Sequence, residues 1–279
     1  MRVPDSSFGA VFESITSRGA TMAQSTFAVT YDNQVIWLDS AGNQDSVSPE
    51  NFALSVTCDI DGTIWIVSTD YGPNGNIIKY CQGFPEQSNW VSLDASLGAI
   101  QVVGRSQGRC VFLAPDGSVH LADTSGGHCQ ITKIGAASCV AALGDFPIYI
   151  LTNTVVQGSG NVIESTDDEG QTWTTVPNGD AARATQIFVQ VYNFVVFLND
   201  DGAAGFLDGT QNNQVRIVSP PNLALALGIS GANSWWVVST DVDPQTGGNF
   251  LKYWDGGGTD GSNWKTTTPP IPGVAVGPR

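Results

Sequence analysis

Charge is scarce in this chain, and basic charge scarcer still. Only 13% of its 279 residues are charged, and 11 Lys and Arg stand against 26 Asp and Glu, a formal charge of −15. Soluble domains usually carry about 25% charged residues. A nucleic-acid binder needs clustered Lys and Arg to face phosphates, and here no two basic residues are adjacent. An anionic bilayer would repel the chain for the same reason. Nucleic acid and anionic lipid are therefore excluded as expected partners.

Long apolar runs are also missing, so membrane insertion is not expected. Residues 1–19 lack the apolar stretch of a signal peptide, being broken by Asp5, Glu13 and Arg18. The expectation is a cytoplasmic chain, or one secreted without a recognisable signal peptide. There are two histidines, His120 and His128, and five cysteines with no CxxC pair. Together they make no zinc-ligand spacing. An odd number of scattered cysteines reads as buried, reduced thiols. Cys110 and Cys129, expected on strands of one blade, are the pair to watch for an exception.

Apolar residues are plentiful at 41%, enough for a sizeable core, and they come in repeats. Val47-Ser-Pro-Glu-Asn-Phe-Ala-Leu54 is echoed by Val218-Ser-Pro-Pro-Asn-Leu-Ala-Leu225, an offset of 218 − 47 = 171. At the same offset Trp65-Ile-Val-Ser-Thr-Asp70 becomes Trp236-Val-Val-Ser-Thr-Asp241. A third copy, Tyr149-Ile-Leu-Thr-Asn153, lies 149 − 65 = 84 residues after Trp65. Gly75-Asn-Ile-Ile-Lys-Tyr80, Gly160-Asn-Val-Ile-Glu-Ser165 and Gly248-Asn-Phe-Leu-Lys-Tyr253 correspond, and Trp90, Trp173 and Trp264 follow them. An interleaved series runs through Phe27, Val111 and Val196, again 84 and 85 apart.

The period is thus about 85 residues, holding two units of about 42, the length of one four-stranded propeller blade. The segments are short and rich in Val, Ile, Phe and Trp, with Asp-Gly and Asn-Gly turns between them. The predicted fold is all-β: one domain over 1–279, a six-bladed β-propeller with pseudo-threefold symmetry. In blade two the strands read as 52–58, 63–69, 76–81 and 90–93. Two segments compete to close the ring as the inner strand of blade one: Gly273-Val-Ala-Val-Gly277 and residues 9–15.

Thr166-Asp-Asp-Glu-Gly-Gln-Thr-Trp173 resembles the Asp box of sialidases and many other propellers. The resemblance covers eight residues and implies a structural hairpin, its Asp bonding backbone amides and its Trp packing under the blade. A sialidase would also need an arginine cluster, and none of the seven arginines occupies a repeated position. The Asp-Gly segments, such as Asp59-Ile-Asp-Gly62, read as tight turns in which Gly takes positive φ. No cofactor is expected, and calcium is the one ion those segments leave open, although an EF-hand spacing is lacking. A Ser-His-Asp triad would have to use His120 or His128, and no nucleophile elbow or paired catalytic carboxylates stand out. The chain reads as a binding protein more than an enzyme.

The two blade types differ in one connection. In odd blades the second and third strands meet at a tight turn: Asp32-Asn33, Asp116-Gly117, Asp201-Gly202. In even blades the same connection is long and polar. Three elaborated loops should then ring one face, where rigid scaffolds usually place binding sites. The plain alternative is three tolerated insertions copied with the unit. Asp70, Tyr71, Asn74, Asn153, Gln157, Asp241, Asp243 and Gln245 are the candidate ligand-binding residues, offering hydrogen bonds to hydroxyls and, at Tyr71, a stacking ring.

The D-G-x-x-W turns, as in Asp61-Gly-Thr-Ile-Trp65, are similar to those of tectonin-like and other fungal or invertebrate propeller lectins. That resemblance implies multivalent carbohydrate binding without catalysis, with glycans or glycoproteins as partners. No family sugar-binding motif is intact, so no residue is carried over as a ligand. Three other readings stay open: a protein-interaction propeller with an apolar and aromatic patch, a lactonase-like hydrolase with a metal site in the central channel, and one module of a larger assembly. Composition leaves the oligomeric state open.

Overall fold

In the computed structural model, the structure describes residues 25–82, 89–191, 194–230, 234–254, 263–267, 271–273 and 275–277. They form six small antiparallel sheets. The inner strands are Ala53–Cys58 in blade two, Gln101–Gly104 in three, Ala137–Ala141 in four, Ala184–Val191 in five and Ala224–Ser230 in six. Each pairs with the next strand along the chain, and each sheet then steps outward in sequence order. Blade one is the exception. Its inner strand is Ala275–Gly277, which pairs with Ser25–Val29 in the register Phe27↔Gly277 and Val29↔Ala275. The C-terminal segment therefore closes the ring, and the rival segment 9–15 lies outside the described residues.

Alternating side chains are buried on both faces of these sheets, because each blade is sandwiched between two others. The buried apolar residues accordingly divide into six clusters, one between each pair of neighbouring blades. Trp65 and Trp236 are wholly buried at the centres of two of them. Trp90, Trp173 and Trp264 each pack against the cluster shared with the preceding blade. The indole N–H of Trp90 donates to the Val47 carbonyl at 3.1 Å, and that of Trp264 to Val218 at 3.4 Å. Their role is the packing expected of them.

Blade two matches its predicted strands within three residues: Ala53–Cys58, Ile64–Gly72, Gly75–Cys81 and Val91–Ser92. The even-blade connections are a correction. The second strands run on to Gly72, Val155 and Val242, so much of each expected loop is hairpin. Pairing breaks at a bulge and then resumes at Tyr71↔Asn76, Val155↔Asn161 and Val242↔Asn249. A bulge inserts unpaired residues and bends the strand, so these hairpins hold strand pairing beyond the point where polar residues suggested its end.

All five cysteines are free; Cys58, Cys81, Cys110 and Cys139 are buried and Cys129 is exposed. Cys110 and Cys129 lie on strands separated by Val119–Asp123, so the pairing flagged as the exception does not form. Burial pushes the Cys110 and Cys139 thiols well above their ordinary range.

Candidate functional site

Antiparallel order places the second-to-third-strand hairpins and the blade-to-blade connections on one face, hereafter the upper face. Hydrogen bonds tie these two kinds of loop together. The Asn51, Gly135 and Asn222 amides donate to the Asp32, Asp116 and Asp201 carbonyls at 2.7, 2.8 and 2.7 Å. The same three residues then receive the next even-blade hairpin. Asn51 and Asn222 accept from the Thr69 and Thr240 hydroxyls, and Gly135 from the Asn153 amide. All three sit at positive φ, 53°, 72° and 57°, a conformation Asn and Gly adopt most readily. Odd turn, connection and even hairpin thus form one braced unit.

The eight candidate residues all lie on these hairpins; seven are exposed and Asp243 is half-buried. Most of their polar groups are already engaged. Asp70 pairs with Lys79 at 2.5 Å, and Asp241 pairs with Lys252 in the same way. Asn74 donates to the Ser96 carbonyl at 2.8 Å, and Asn153 to Gly135 at 2.9 Å. Asp243 accepts from the Gln245 amide and the Thr246 hydroxyl, which hold its carboxyl below the usual carboxylate range. Close approach adds to the bracing: a Cβ at Gly98 would lie 2.0 Å from the Asn74 carbonyl oxygen. Of the eight, Tyr71, Gln157 and Gln245 have no such side-chain bond to another described residue.

What the upper face exposes instead is apolar. Tyr31, Tyr71, Val155, Val156 and Val242 stand on its hairpins, with Tyr71 at 77% exposure. Leu54, Ile100, Ile134 and Leu225 lie on the connections or the first turns of inner strands. Among the described residues these nine compare with two, Ile60 and Phe146, on the opposite face, with Val91 and Ile217 on outer strands. Their signal in the sequence was an apolar residue at the outermost end of an inner strand, as in Leu54 and Leu225.

Below Ile100 the central channel opens into a cavity of 330 Å³, walled by inner strands. Its polar lining consists of hydroxyls and amides, including Thr57, Ser138, Thr185, Gln101 and Gln186. Gln101 bridges to the Val140 backbone of the next blade, and Gln186 to Leu227. Among the described lining residues there is no Asp, Glu or Asn, the carboxylate and amide ligands expected of a lactonase-like metal site there.

On the opposite face the Asp59 carboxylate is nearly fully buried yet accepts from the Asp61 and Thr63 amides at 2.9 and 2.8 Å. Burial outweighs these bonds and pushes it up to about 6, from 3.8. Because the folded chain holds this proton more tightly, the contribution to stability is fully present below pH about 4 and is lost as pH rises through 6. Asn at this site keeps an acceptor without the charge. Relative to the parent, Asp59→Asn should therefore gain up to about 3 kcal/mol between pH 4 and 7, on top of any pH-independent offset. Urea midpoints of both proteins at pH 4, 5.5 and 7 check this.

Nearby, Asp168 accepts from the Thr166 and Thr172 hydroxyls at 2.7 and 2.6 Å and from the Thr172 amide at 2.8 Å. These bonds, the Thr172 hydroxyl first, hold it at about 2. The hairpin is structural in its geometry. Glu169 on its tip reaches Arg109 of blade three at 3.1 Å.

His120 and His128 lie on blade three. Ser118 Oγ is 2.7 Å from His120 Nε2, and His120 Nδ1 is 2.8 Å from His128 Nε2, distances that suit a nucleophile, base and orienter. Proton bookkeeping points elsewhere. The Ser118 hydroxyl donates to Asp116 at 2.5 Å, so Ser118 accepts from His120 Nε2–H and His120 Nδ1 accepts from His128 Nε2–H. The two rings are 5.0 Å apart and nearly parallel; with nitrogens 2.8 Å apart this is an in-plane hydrogen bond, not a stack. Ser118 is 1% exposed, closed to substrate, and the chain is a relay running to a surface carboxylate. Asp116 lies in the turn that precedes Val119–Asp123, and that turn brings its carboxylate back to Ser118 at the mouth of the strand.

No protein-family model matches the chain, and no curated protein matches it in sequence. Among solved structures it is similar to YCF48 bound to D1 peptide, with a TM-score of 0.51 and 13% identity over 88% of this chain and 78% of that one. It is similar also to the WD40 beta propeller domain of Doa1, with a TM-score of 0.52 and 11% identity over 83% of this chain and 75% of that one. At such identities the likeness speaks for fold alone. The chain has a six-bladed β-propeller fold.

Proposed function

We propose that this propeller is a protein-interaction scaffold whose upper face docks an apolar segment of a partner. The observation that carries the reading is the one-sided exposure of large apolar side chains, nine on the upper face against two opposite among the described residues. Exposed apolar area concentrated on one face marks interaction sites. Rigid loops favour binding because little freedom is lost on docking, and the braced connections supply that rigidity. A peptide-bound propeller among the similar structures is consistent with this use of the fold. The sugar-binding reading drew on the hydrogen-bonding side chains of the same hairpins, and most of those already serve the hairpins themselves.

The test is selection from a random peptide library on the immobilised protein. Peptides should be enriched, and Tyr71→Ser, Ile134→Ser and Val155→Ser combined should weaken them at least about tenfold, or ~1.4 kcal/mol. Each exposed change should alter stability by under about 0.5 kcal/mol. Retention on a glycan array with no peptide enrichment would return the lectin reading.

A further inference from the structure

The upper face carries acidic side chains among its apolar ones. Three of its bases are taken: Lys79 by Asp70, Lys252 by Asp241 and Arg183 by Asp200. Lys133 is the one base of that face without an acidic partner among the described residues. Against it stand Asp32, Glu50, Asp94, Asp116, Asp201 and Asp243, none in an ion pair. On the opposite face Arg105 and Arg109 meet Glu169, and Arg109 also meets Asp145. Six carboxylates of the upper face thus stand beside its apolar side chains without a cation.

Resting on the docking function proposed above, we infer that the partner segment is a cationic apolar peptide, with Lys or Arg interspersed among large apolar side chains. An acidic or neutral segment of equal apolarity would leave unneutralised carboxylates beside a surface that is losing water, which costs affinity. A cationic one places its charges over Asp32, Glu50 and Asp201 while its apolar residues cover Tyr31, Ile100 and Leu225. Lys and Arg suit this geometry because their stems lie along apolar surface while their heads reach carboxylates. The hairpin side chains Asp70 and Asp241 remain with their lysines.

Fluorescein-labelled decapeptides alternating Leu with Lys, with Gln or with Glu are the probes, read by fluorescence anisotropy on the full chain. The Lys peptide should bind about tenfold or more tighter than the Gln peptide, and raising NaCl from about 50 to about 500 mM should remove most of that advantage. Asp32→Asn with Asp201→Asn should weaken the Lys peptide about threefold or more, through the rim charges. Asp61→Asn with Asp167→Asn, the same change of net charge on the opposite face, should not. Gln and Lys peptides binding alike overturns the inference and leaves the docking surface standing. Equal loss in both double variants also overturns it, since the field of the whole molecule would then account for the preference. If none of the three peptides binds, the docking function fails with it.

Discussion

Replacing Trp236 by alanine should lower the stability of the folded ring by about 4 kcal/mol. Trp236 is 0% exposed and lies in the cluster between blades six and one, against Ala28, Ile36 and Leu38. The same cluster flanks the strand that closes the ring, so a cavity there weakens the seam as well as the core. Trp65, 171 residues earlier and equally buried, should respond similarly, because it fills the corresponding place between blades two and three. Trp173, only partly buried at the edge of its cluster, should cost about half as much. Urea unfolding followed by tryptophan-independent circular dichroism gives the three values. With total stabilities of about 5–15 kcal/mol for folded domains, the Trp236 variant loses about a quarter or more of its margin. Equal midpoints for the Trp236 and Trp173 variants would show that the seam holds no special share of the stability.

Removing residues 275–279 should be more damaging still. Three residue pairs join Ala275–Gly277 to Ser25–Val29, and at about 1 kcal/mol per hydrogen bond, with hydrogen-bonded pairs alternating along the ladder, their loss costs about 2–4 kcal/mol. Phe27, Ala28 and Val29, now almost wholly buried, would line an open strand edge, a template for pairing with another chain. The expected outcome is a melting temperature lowered by more than about 10 °C, consistent with a loss of several kcal/mol, together with concentration-dependent association by light scattering. Adding a peptide of residues 271–279 should restore part of the lost stability. A truncated chain that melts like the parent and stays monomeric would mean that blade one is held by its lateral contacts alone.

The repeat made most of the fold readable before any coordinates. A period near 85 with two tryptophan-bearing units per period points to four-stranded blades because few other β architectures share that length. Ring closure was not readable: residues 9–15 and 273–277 are both short apolar segments, and the partner strand at Ser25–Val29 carries no mark of which it accepts. The hairpin extensions were missed because polarity suggested an end of pairing, while Val155 and Val242 carried the strand on past a bulge. The candidate residues lie on the even-blade hairpins as expected, but the partners that occupy most of their polar groups were not readable. The groups that engage Asn74 and Asn153 are backbone carbonyls of Ser96 and Gly135, 22 and 18 residues away, and a carbonyl has no signature in sequence. The histidine relay was not readable, since a turn returns Asp116 to Ser118 and its last member arrives only through strand pairing.

The closing strand also sets a clock on biosynthesis. Phe27 and Gly277 are 277 − 27 = 250 residues apart, so blade one stays three-stranded while all the other blades are being made. At about 5–20 residues per second, Ser25–Val29 waits with one side unpaired for some tens of seconds. Blades two to six can each pair locally as they emerge, since every one of their sheets is drawn from a single continuous stretch of chain. The first blade synthesised is therefore the last completed, and its exposed edge is the point at which a nascent chain is open to capture by a neighbour or to protection by a chaperone.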